Sequence, residues 1–428
     1  VQHFVLDLSR LISNAAKPAP TGIDRVEIAY ATRFLTLPKS QVTFAAMTGW
    51  GRFGPLDYQM AAKFIAALTA QWYDGGTSRH AVKLAAKLCR YVWLHGEWAL
   101  HLRLRRQKCQ IVYLNVSHHH LDRPASIMRL KQRAGTVFVA LVHDLIPIEY
   151  PEYSRPNQDD IHRRRIATVA SMADAVIVPS KITKTLLSPK LIAADRSPEV
   201  LVCPLGLNLP APVFPNELGV PAPYFICIGT IEPRKNHLLL LKLWRKIVMD
   251  RGFDAPHLVI VGRRGWENEN IIDMLERCPT IRGRVHEFSS LTDSQVCGLI
   301  QNARALLMPS FSEGFGLPVM EALALGTPAL CSEIPALLEV GSAVPEFFDP
   351  MDGPSWHRAI LDYAQPNSIR RAAQIDRLEK WSRPSWEDHF TRIDSLLTGL
   401  LPVARPVASP GAHNFERAPL RTELRTQR

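Results

Sequence analysis

Long apolar runs are missing from this 428-residue chain. No stretch of 18 apolar residues occurs, which excludes an ordinary transmembrane helix. The first residues carry no signal-peptide pattern, and Val5-Leu6-Asp7-Leu8 reads as a first strand instead. Cysteine is scarce. The seven thiols (Cys89, Cys109, Cys203, Cys227, Cys278, Cys297 and Cys331) form no close pair and no zinc-like spacing, so neither a disulfide framework nor a zinc module is expected. Several lie in apolar runs, as reduced thiols of a cytosolic protein do. Zinc-finger spacing and RNA-binding aromatic motifs are also lacking, and nucleic acid is not expected as a partner. Three histidines stand together at His118, His119 and His120. Adjacent residues rarely converge on one ion and no matched carboxylate accompanies them, so no metal site is expected.

A hydrophobic content of 46% and a charged content of 21% fit a globular protein with one large or two ordinary domains. The formal charge is +11, with basic clusters at Arg103-Leu104-Arg105-Arg106-Gln107-Lys108 and at His162-Arg163-Arg164-Arg165. Such clusters suit a phosphorylated substrate or an anionic membrane surface.

The first half alternates apolar runs with longer amphipathic stretches. Phe4–Leu8, Val42–Ala46, Tyr91–Leu94, Ile111–Leu114, Val137–Val142, Ala175–Val178 and Glu199–Cys203 read as strands, and Ile23–Leu35, Gln59–Thr69 and Pro156–Ala170 as helices. This alternation favours a parallel sheet covered by helices. A proline-rich passage follows, then a second alternation through Tyr224–Ile228, Leu258–Val261, Val285–Phe288, Ala305–Met308 and Ala329–Cys331. The expected fold is α/β, with two Rossmann-like domains facing across a cleft. Residues 1–206 form the first, 207–223 a linker and 224–380 the second. Trp386, Phe390, Ile393 and Leu397 place an apolar stripe on a helix within 381–401 that returns to the first domain. Residues 402–428 read as a flexible basic tail.

Chemistry concentrates at strand-to-helix turns, the carboxyl edge of such sheets. In Ser310-Phe311-Ser312-Glu313-Gly314-Phe315-Gly316-Leu317-Pro318-Val319-Met320-Glu321, glycines and Glu313 fill the turn between Ala305–Met308 and a helix expected over Val319–Leu325. Glu321 falls in its first turn. The glycines let backbone amides approach a ligand, and the helix start adds partial positive charge. Gly229-Thr230-Ile231-Glu232-Pro233-Arg234-Lys235-Asn236-His237 sets two cations before the helix Leu238–Val248, a receptor for a diphosphate. Neither P-loop nor GxGxxG spacing fits that turn. In Thr21-Gly22-Ile23-Asp24-Arg25, Gly22 can bring an amide against a phosphate or sugar, while Asp24 or Arg25 orders the loop. His143 ends the strand Val137–Val142, where its imidazole can donate to a sugar hydroxyl or to the acceptor; the competing reading is a structural histidine held by Asp144. In Val261-Gly262-Arg263-Arg264-Gly265-Trp266, the glycines permit close approach to a nucleotide. Arg263 reaches phosphate or orders the loop, and Trp266 stacks on a base or covers the fold.

Collectively these residues resemble the GT-B glycosyltransferases of family 4, retaining enzymes that use nucleotide sugars, over about residues 1–400. The most specific match is Glu313 and Glu321 with seven residues between them. The resemblance implies Glu313 beside the transferred sugar and Glu321 on ribose hydroxyls. Arg234 and Lys235 would lie on the donor diphosphate, with Gly22 supporting it from the other domain and His143 facing the sugar. The amides of Phe315, Gly316 and Leu317 would touch donor sugar or phosphate. One departure is that Gly22 stands alone where the family often has a glycine pair. The His143, Glu232-to-Asn236 and Val261-to-Trp266 segments look most like bacterial mannosyl- and rhamnosyltransferases of polysaccharide assembly.

The resemblance thus implies a metal-independent retaining hexosyltransferase, with GDP-mannose the preferred donor substrate and no cofactor. Its acceptor would be a carbohydrate, most simply one linked to polyprenyl diphosphate, recognised by Gly49-Trp50-Gly51-Arg52-Phe53, Trp98 and the Arg103–Lys108 cluster. A cytoplasmic location is expected, with peripheral contact to the inner face of the cytoplasmic membrane. The alternatives are a rhamnosyl- or glucosyltransferase using another nucleotide sugar, a phosphorylase-like or epimerase enzyme, and a non-catalytic protein that binds a nucleotide sugar.

Overall fold

A parallel strand covered on both faces must be apolar along its whole length, and Val42–Met47 buries all six of its residues. The computed structural model describes residues 2–49, 51–73 and 78–400. Trp50 and the tail over 402–428 lie outside the described residues. The first sheet has the order β3-β2-β1-β4-β5-β6-β7, formed by β1 (Gln2–Asp7), β2 (Val42–Met47), β3 (Phe53–Pro55), β4 (Gln110–Asn115), β5 (Val137–Leu141), β6 (Ala175–Val178) and β7 (Glu199–Val202). Only the edge strand β3 is antiparallel to its neighbour. The second sheet is parallel throughout, in the order β10-β9-β8-β11-β12-β13. Its strands are β8 (Tyr224–Ile228), β9 (His257–Val261), β10 (Val285–Phe288), β11 (Leu306–Met308), β12 (Ala329–Ser332) and β13 (Glu346–Phe348).

In each sheet the chain begins inside, winds outward one way, then crosses back to wind the other. Strand β1 therefore neighbours β4, and β8 neighbours β11. The loops leaving such neighbours part in opposite directions and open a crevice at the carboxyl edge. This topology sets the loop after β8, which carries Arg234 and Lys235, beside the loop after β11, which carries Glu313.

One expected strand is corrected. Tyr91–Leu94 lies within the helix Ser78–Arg105, which is interrupted only at Gly96 (φ 57°). There Val92 is buried while Trp93 and Leu94 face outward, so a run of apolar residues on consecutive faces of a helix imitated a strand. The three-residue strands β3 and β13 had no reading in the sequence, because Phe53-Gly54-Pro55 and Glu346-Phe347-Phe348 lack the continuous apolar run that marks the equally short β11.

The helix Trp386–Gly399 lies on the first domain, with Phe390, Ile393 and Leu397 buried. The Tyr30 hydroxyl is 2.8 Å from His389 Nε2. Gln2 Nε2 donates to the Leu397 carbonyl at 2.6 Å and Gln110 Nε2 to that of Leu400 at 2.8 Å. Where the chain first leaves this domain, Gly206 passes so close to the second crossing that a Cβ there would lie 2.3 Å from the Trp386 nitrogen.

Candidate active site

Two loops of the second domain are locked together before any side-chain charge is considered. The Phe311 N–H donates to the Arg234 carbonyl at 2.9 Å. Asn236, in the left-handed region at φ 55°, donates through Nδ2 to the carbonyls of Pro309 (3.1 Å) and Pro350 (2.9 Å). Asparagine is among the few residues other than glycine that visit this region readily. The lock brings Glu313 onto both cations: Lys235 Nζ is 2.6 Å from one carboxylate oxygen and Arg234 Nη1 is 2.9 Å from the other. The Glu313 side chain is only 8% exposed. Burial alone would raise its pKa, but the two cations overcome this and hold it down to about 2. Glu313 is thus a carboxylate at any working pH, with both oxygens engaged.

Glu232 completes the cluster. Its Oε1 accepts from Arg234 Nη2 at 2.7 Å and Nε at 3.0 Å, which fixes the guanidinium plane. Burial raises the Glu232 carboxyl against the pull of Arg234. Sequence alone assigns no role to Glu232 or Asn236; the signal for them is an acid and an asparagine flanking the two cations.

Facing this cluster are the loops of the first domain. A Cβ on Gly314 would lie 2.8 Å from Asp144 Cβ and 3.0 Å from the His143 carbonyl, so the His143-Asp144 turn sits directly against the Glu313 loop. The Ser180 hydroxyl donates to the Gly314 carbonyl at 3.2 Å. His143 Nε2 is 2.8 Å from the Val116 carbonyl. A carbonyl only accepts, so Nε2 carries the proton, and burial keeps the ring neutral with a pKa of about 4 despite that bond. The expectation that His143 donates to a sugar hydroxyl is therefore corrected: its donating nitrogen is committed within the protein, and Nδ1 is left as an acceptor. Nor does Asp144 hold the ring, because its Oδ1 accepts from the Ile146 N–H at 3.1 Å.

Two further histidines pin this turn. His118, itself at φ 58°, accepts the His143 N–H on Nε2 at 3.0 Å, and His162 Nε2 donates to the Asp144 carbonyl at 3.0 Å. His120 turns elsewhere, to Asp7 at 2.7 Å. Among the described residues no three His, Cys, Asp or Glu side chains are arranged to hold a metal ion.

Gly22 begins the helix Gly22–Leu35, and a Cβ there would lie 3.2 Å from Leu317 Cδ1 across the cleft. Asp24 orders this loop, accepting from the Thr21 N–H (2.9 Å), the Thr21 hydroxyl (2.7 Å), Arg10 Nε and Asn14 Nδ2 (both 2.7 Å). Arg25 does something else: it bridges the domains, with Nη2 2.8 Å and Nη1 2.5 Å from the Asp293 carboxylate. Glu321 lies beyond it, on the helix Leu317–Ala324. That helix starts two residues earlier than expected, so Glu321 falls in its second turn. Burial raises the Glu321 carboxyl, opposed by Arg25. Both residues line a cavity of about 20 Å³, with Tyr73, Asn208, Leu317 and Trp386. Gly316 (φ 104°) precedes the helix, its Cα facing Leu337, and Phe315 is buried.

The Val261–Trp266 loop is used differently from the expectation. A Cβ on Gly262 would meet the Gly229 carbonyl at 1.8 Å, and one on Gly265 would meet Thr230 Cγ2 at 2.7 Å. These glycines admit the neighbouring turn rather than a nucleotide. Trp266 donates to the Tyr153 carbonyl at 3.3 Å and lies under Arg155, so it covers the domain contact. Arg263 is exposed and near enough to Lys17 of the first domain to help lower that ammonium, which burial depresses first.

Residues 214–343 match the family described as glycosyl transferases group 1. O-antigen chain mannosyltransferase B of Escherichia coli is 35% identical over 169 residues, 40% of this chain and 44% of that protein. O-antigen chain mannosyltransferase RfbU of Salmonella typhimurium is 31% identical over 156 residues, 35% of this chain and 40% of the relative. The match thus spans less than half the length of these curated relatives. Among solved structures, Anabaena HepE in complex with UDP-glucose superposes with a TM-score of 0.61 at 15% identity, covering 93% of this chain and all of that one. Sucrose-phosphate synthase of Thermosynechococcus elongatus gives 0.60 at 17% identity, covering 94% and 99%. At such identities the likeness is one of fold. The chain has the GT-B fold, and the domain that carries Glu313, Arg234 and Lys235 matches the glycosyl transferases group 1 family and is similar to bacterial O-antigen mannosyltransferases.

Proposed function

We propose that this protein is a retaining hexosyltransferase that moves mannose from GDP-mannose to a carbohydrate acceptor, one carried on polyprenyl diphosphate during polysaccharide assembly. The observation that carries this reading is the contact of Glu313 with both Lys235 and Arg234, at the sheet crevice and against the His143-Asp144 turn. The mannosyltransferases among its relatives favour mannose over rhamnose or glucose.

Glycosyl transfer breaks the bond from the anomeric carbon to the diphosphate oxygen, and the electron pair leaves with the diphosphate. Arg234 and Lys235 are fixed cations where that negative charge grows, so little reorganisation is needed at the moment of transfer. The acceptor oxygen bonds to the anomeric carbon on the face the diphosphate leaves, and its proton passes to the departing phosphate oxygen. Glu313 stabilises the cationic sugar and orients its hydroxyls. Both its oxygens are charge-paired, which blunts it as a nucleophile and favours front-face transfer over a glycosyl-enzyme intermediate. Glu321 takes ribose hydroxyls, Arg263 a phosphate oxygen, and the amides of Phe315, Gly316 and Leu317 the sugar or phosphate, with Gly22 opposite. His143 accepts from a sugar hydroxyl. The reaction runs without a metal ion, in the cytoplasm at the inner membrane face.

The test supplies GDP-mannose, GDP-fucose, UDP-glucose and dTDP-rhamnose, with lipid-linked acceptor extracts, in the presence of EDTA. Transfer of mannose with the donor's anomeric configuration is expected. Transfer from another donor alone would replace the sugar. Binding without transfer or hydrolysis across the acceptors would leave a nucleotide-sugar-binding protein. A glycosyl adduct on Glu313 would replace front-face transfer by double displacement.

A further inference from the structure

Outside the cleft, the most unusual surface is the outer face of the helix Ser78–Arg105. Inward, Leu84, Leu88, Val92, Leu100 and Leu104 are buried, as the stripe of a packed helix should be. Outward, four large apolar side chains stand within ten residues: Trp93 is 55% exposed, Leu94 66%, Trp98 73% and Leu102 38%. Removing them from water would be favourable and would strand no charge, yet nothing in the described fold covers them. The interruption at Gly96 is anchored, because Gly54 of the edge strand β3 passes so close that a Cβ there would lie 2.9 Å from the Gly96 carbonyl. Both arms of the helix are therefore held on the first domain.

Charge along this segment is almost wholly of one sign. Residues 78–108 contain eight cations and a single acid, a net +7 of the chain's +11. Arg79, Lys83, Lys87 and Arg90 precede the apolar centre, and Arg103, Arg105, Arg106 and Lys108 follow it. The one acid, Glu97, is already bonded to Arg129 at 2.7 Å. Arg52 lies over the Trp93 ring and donates to the Trp93 carbonyl at 2.8 Å, adding a ninth cation at the centre.

We infer that this face docks on an anionic lipid bilayer, with the indoles of Trp93 and Trp98 at headgroup depth and the flanking cations on lipid phosphates. A polynucleotide would satisfy the cations but gain little from Leu94 and Leu102. An apolar centre between two basic arms fits a bilayer interface, where tryptophan concentrates and where each cation adds to the attraction. The inference locates the membrane contact of the proposed reaction on a specific face, and its test needs no nucleotide sugar.

Full-length protein is mixed with phosphatidylcholine vesicles and with vesicles two-thirds phosphatidylcholine and one-third phosphatidylglycerol, and binding is read by sedimentation and tryptophan emission. Binding to the anionic vesicles should be at least about tenfold tighter, with a blue-shifted emission, and should weaken as salt rises. Trp93→Ser combined with Trp98→Ser should lower it by about tenfold or more at unchanged circular dichroism. Lys83→Gln, Lys87→Gln and Arg90→Gln together should remove most of the preference for the anionic lipid. These variants keep the basic tail, so they isolate the face. Equal binding to both vesicle types, or wild-type affinity in the double tryptophan variant, would overturn the inference. So would binding to heparin without binding to vesicles, or a solution dimer that the tryptophan substitutions dissociate.

Discussion

Lys235→Met separates the folding role of this lysine from its role in transfer. The sequence alone suggests that an alanine here would hardly touch stability, since a lysine at a loop–helix junction rarely anchors a core. The structure amends that: Lys235 is buried at 8% exposure, its Cε would lie 3.1 Å from a Cβ on Gly229, and its ammonium is paired with Glu313. Methionine keeps most of the packed stem and removes the charge. Glu313 is not stranded, because Arg234 Nη1 stays 2.9 Å away. The expected stability loss is that of one hydrogen bond to a charged group, about 1.5–3 kcal/mol, rather than the larger penalty of orphaning a buried carboxylate. Loss of one preorganised donor to the departing diphosphate costs about 3–4 kcal/mol in the barrier, a fall of roughly 10²–10³ in kcat. Thermal melting would show a folded variant, and single-turnover transfer at saturating donor would give the rate. A folded Lys235→Met enzyme turning over within about threefold of the parent would refute the assignment of this cation to the leaving group.

Glu321→Ala should weaken nucleotide binding while leaving the fold intact, and calorimetry with the free nucleoside diphosphate measures it; unchanged affinity removes the ribose contact. Asn236→Ala deletes the side-chain bonds to the Pro309 and Pro350 carbonyls, leaving the Phe311 N–H bond as the tie between the two loops, and should lower kcat by about tenfold or more with less effect on KM, because the cations lose their register with Glu313. His118→Phe removes the acceptor of the His143 N–H, and His118→Asn, which can still accept, should recover more transfer than phenylalanine does. Acid stability follows from His389: its Nδ1 lies 2.9 Å from the Pro204 carbonyl and so carries the proton, while Nε2 accepts from Tyr30. Burial, opposed by the Pro204 bond, lowers its pKa to about 4 against about 6.5 when unfolded, so between those values the unfolded state binds the extra proton. Stability is complete above about pH 6.5 and falls as pH drops towards about 4, by up to about 3 kcal/mol from this residue. His389→Gln should flatten the dependence of Tm on pH over that window.

What could be read from the sequence was local. Arg234, Lys235 and Glu313 announce themselves because each sits in a turn next to its own strand, and two adjoining strands at a sheet crossover bring such turns together. What could not be read depends on partners far along the chain. The tautomer of His143 is decided by the Val116 carbonyl, the purpose of Gly262 by the Gly229 carbonyl, and that of Arg25 by an acid 268 positions away. The Tyr91–Leu94 run failed for a different reason. Its apolar residues face out as well as in, and no periodicity argument anticipates tryptophans on a solvent face.

Among the described residues the polypeptide passes between the two halves near Gly206 and again near Trp386, and the two passages touch. Other contacts between the halves, where Tyr153 stacks on Phe311 and the Lys181 N–H donates to Glu339, have no such covalent tie. The molecule is thus bound like a book along one spine, with its covers held shut by separable clasps elsewhere. A bulkier residue at Gly206 would wedge that spine, changing how far the covers part and tilting every residue on one page relative to the other.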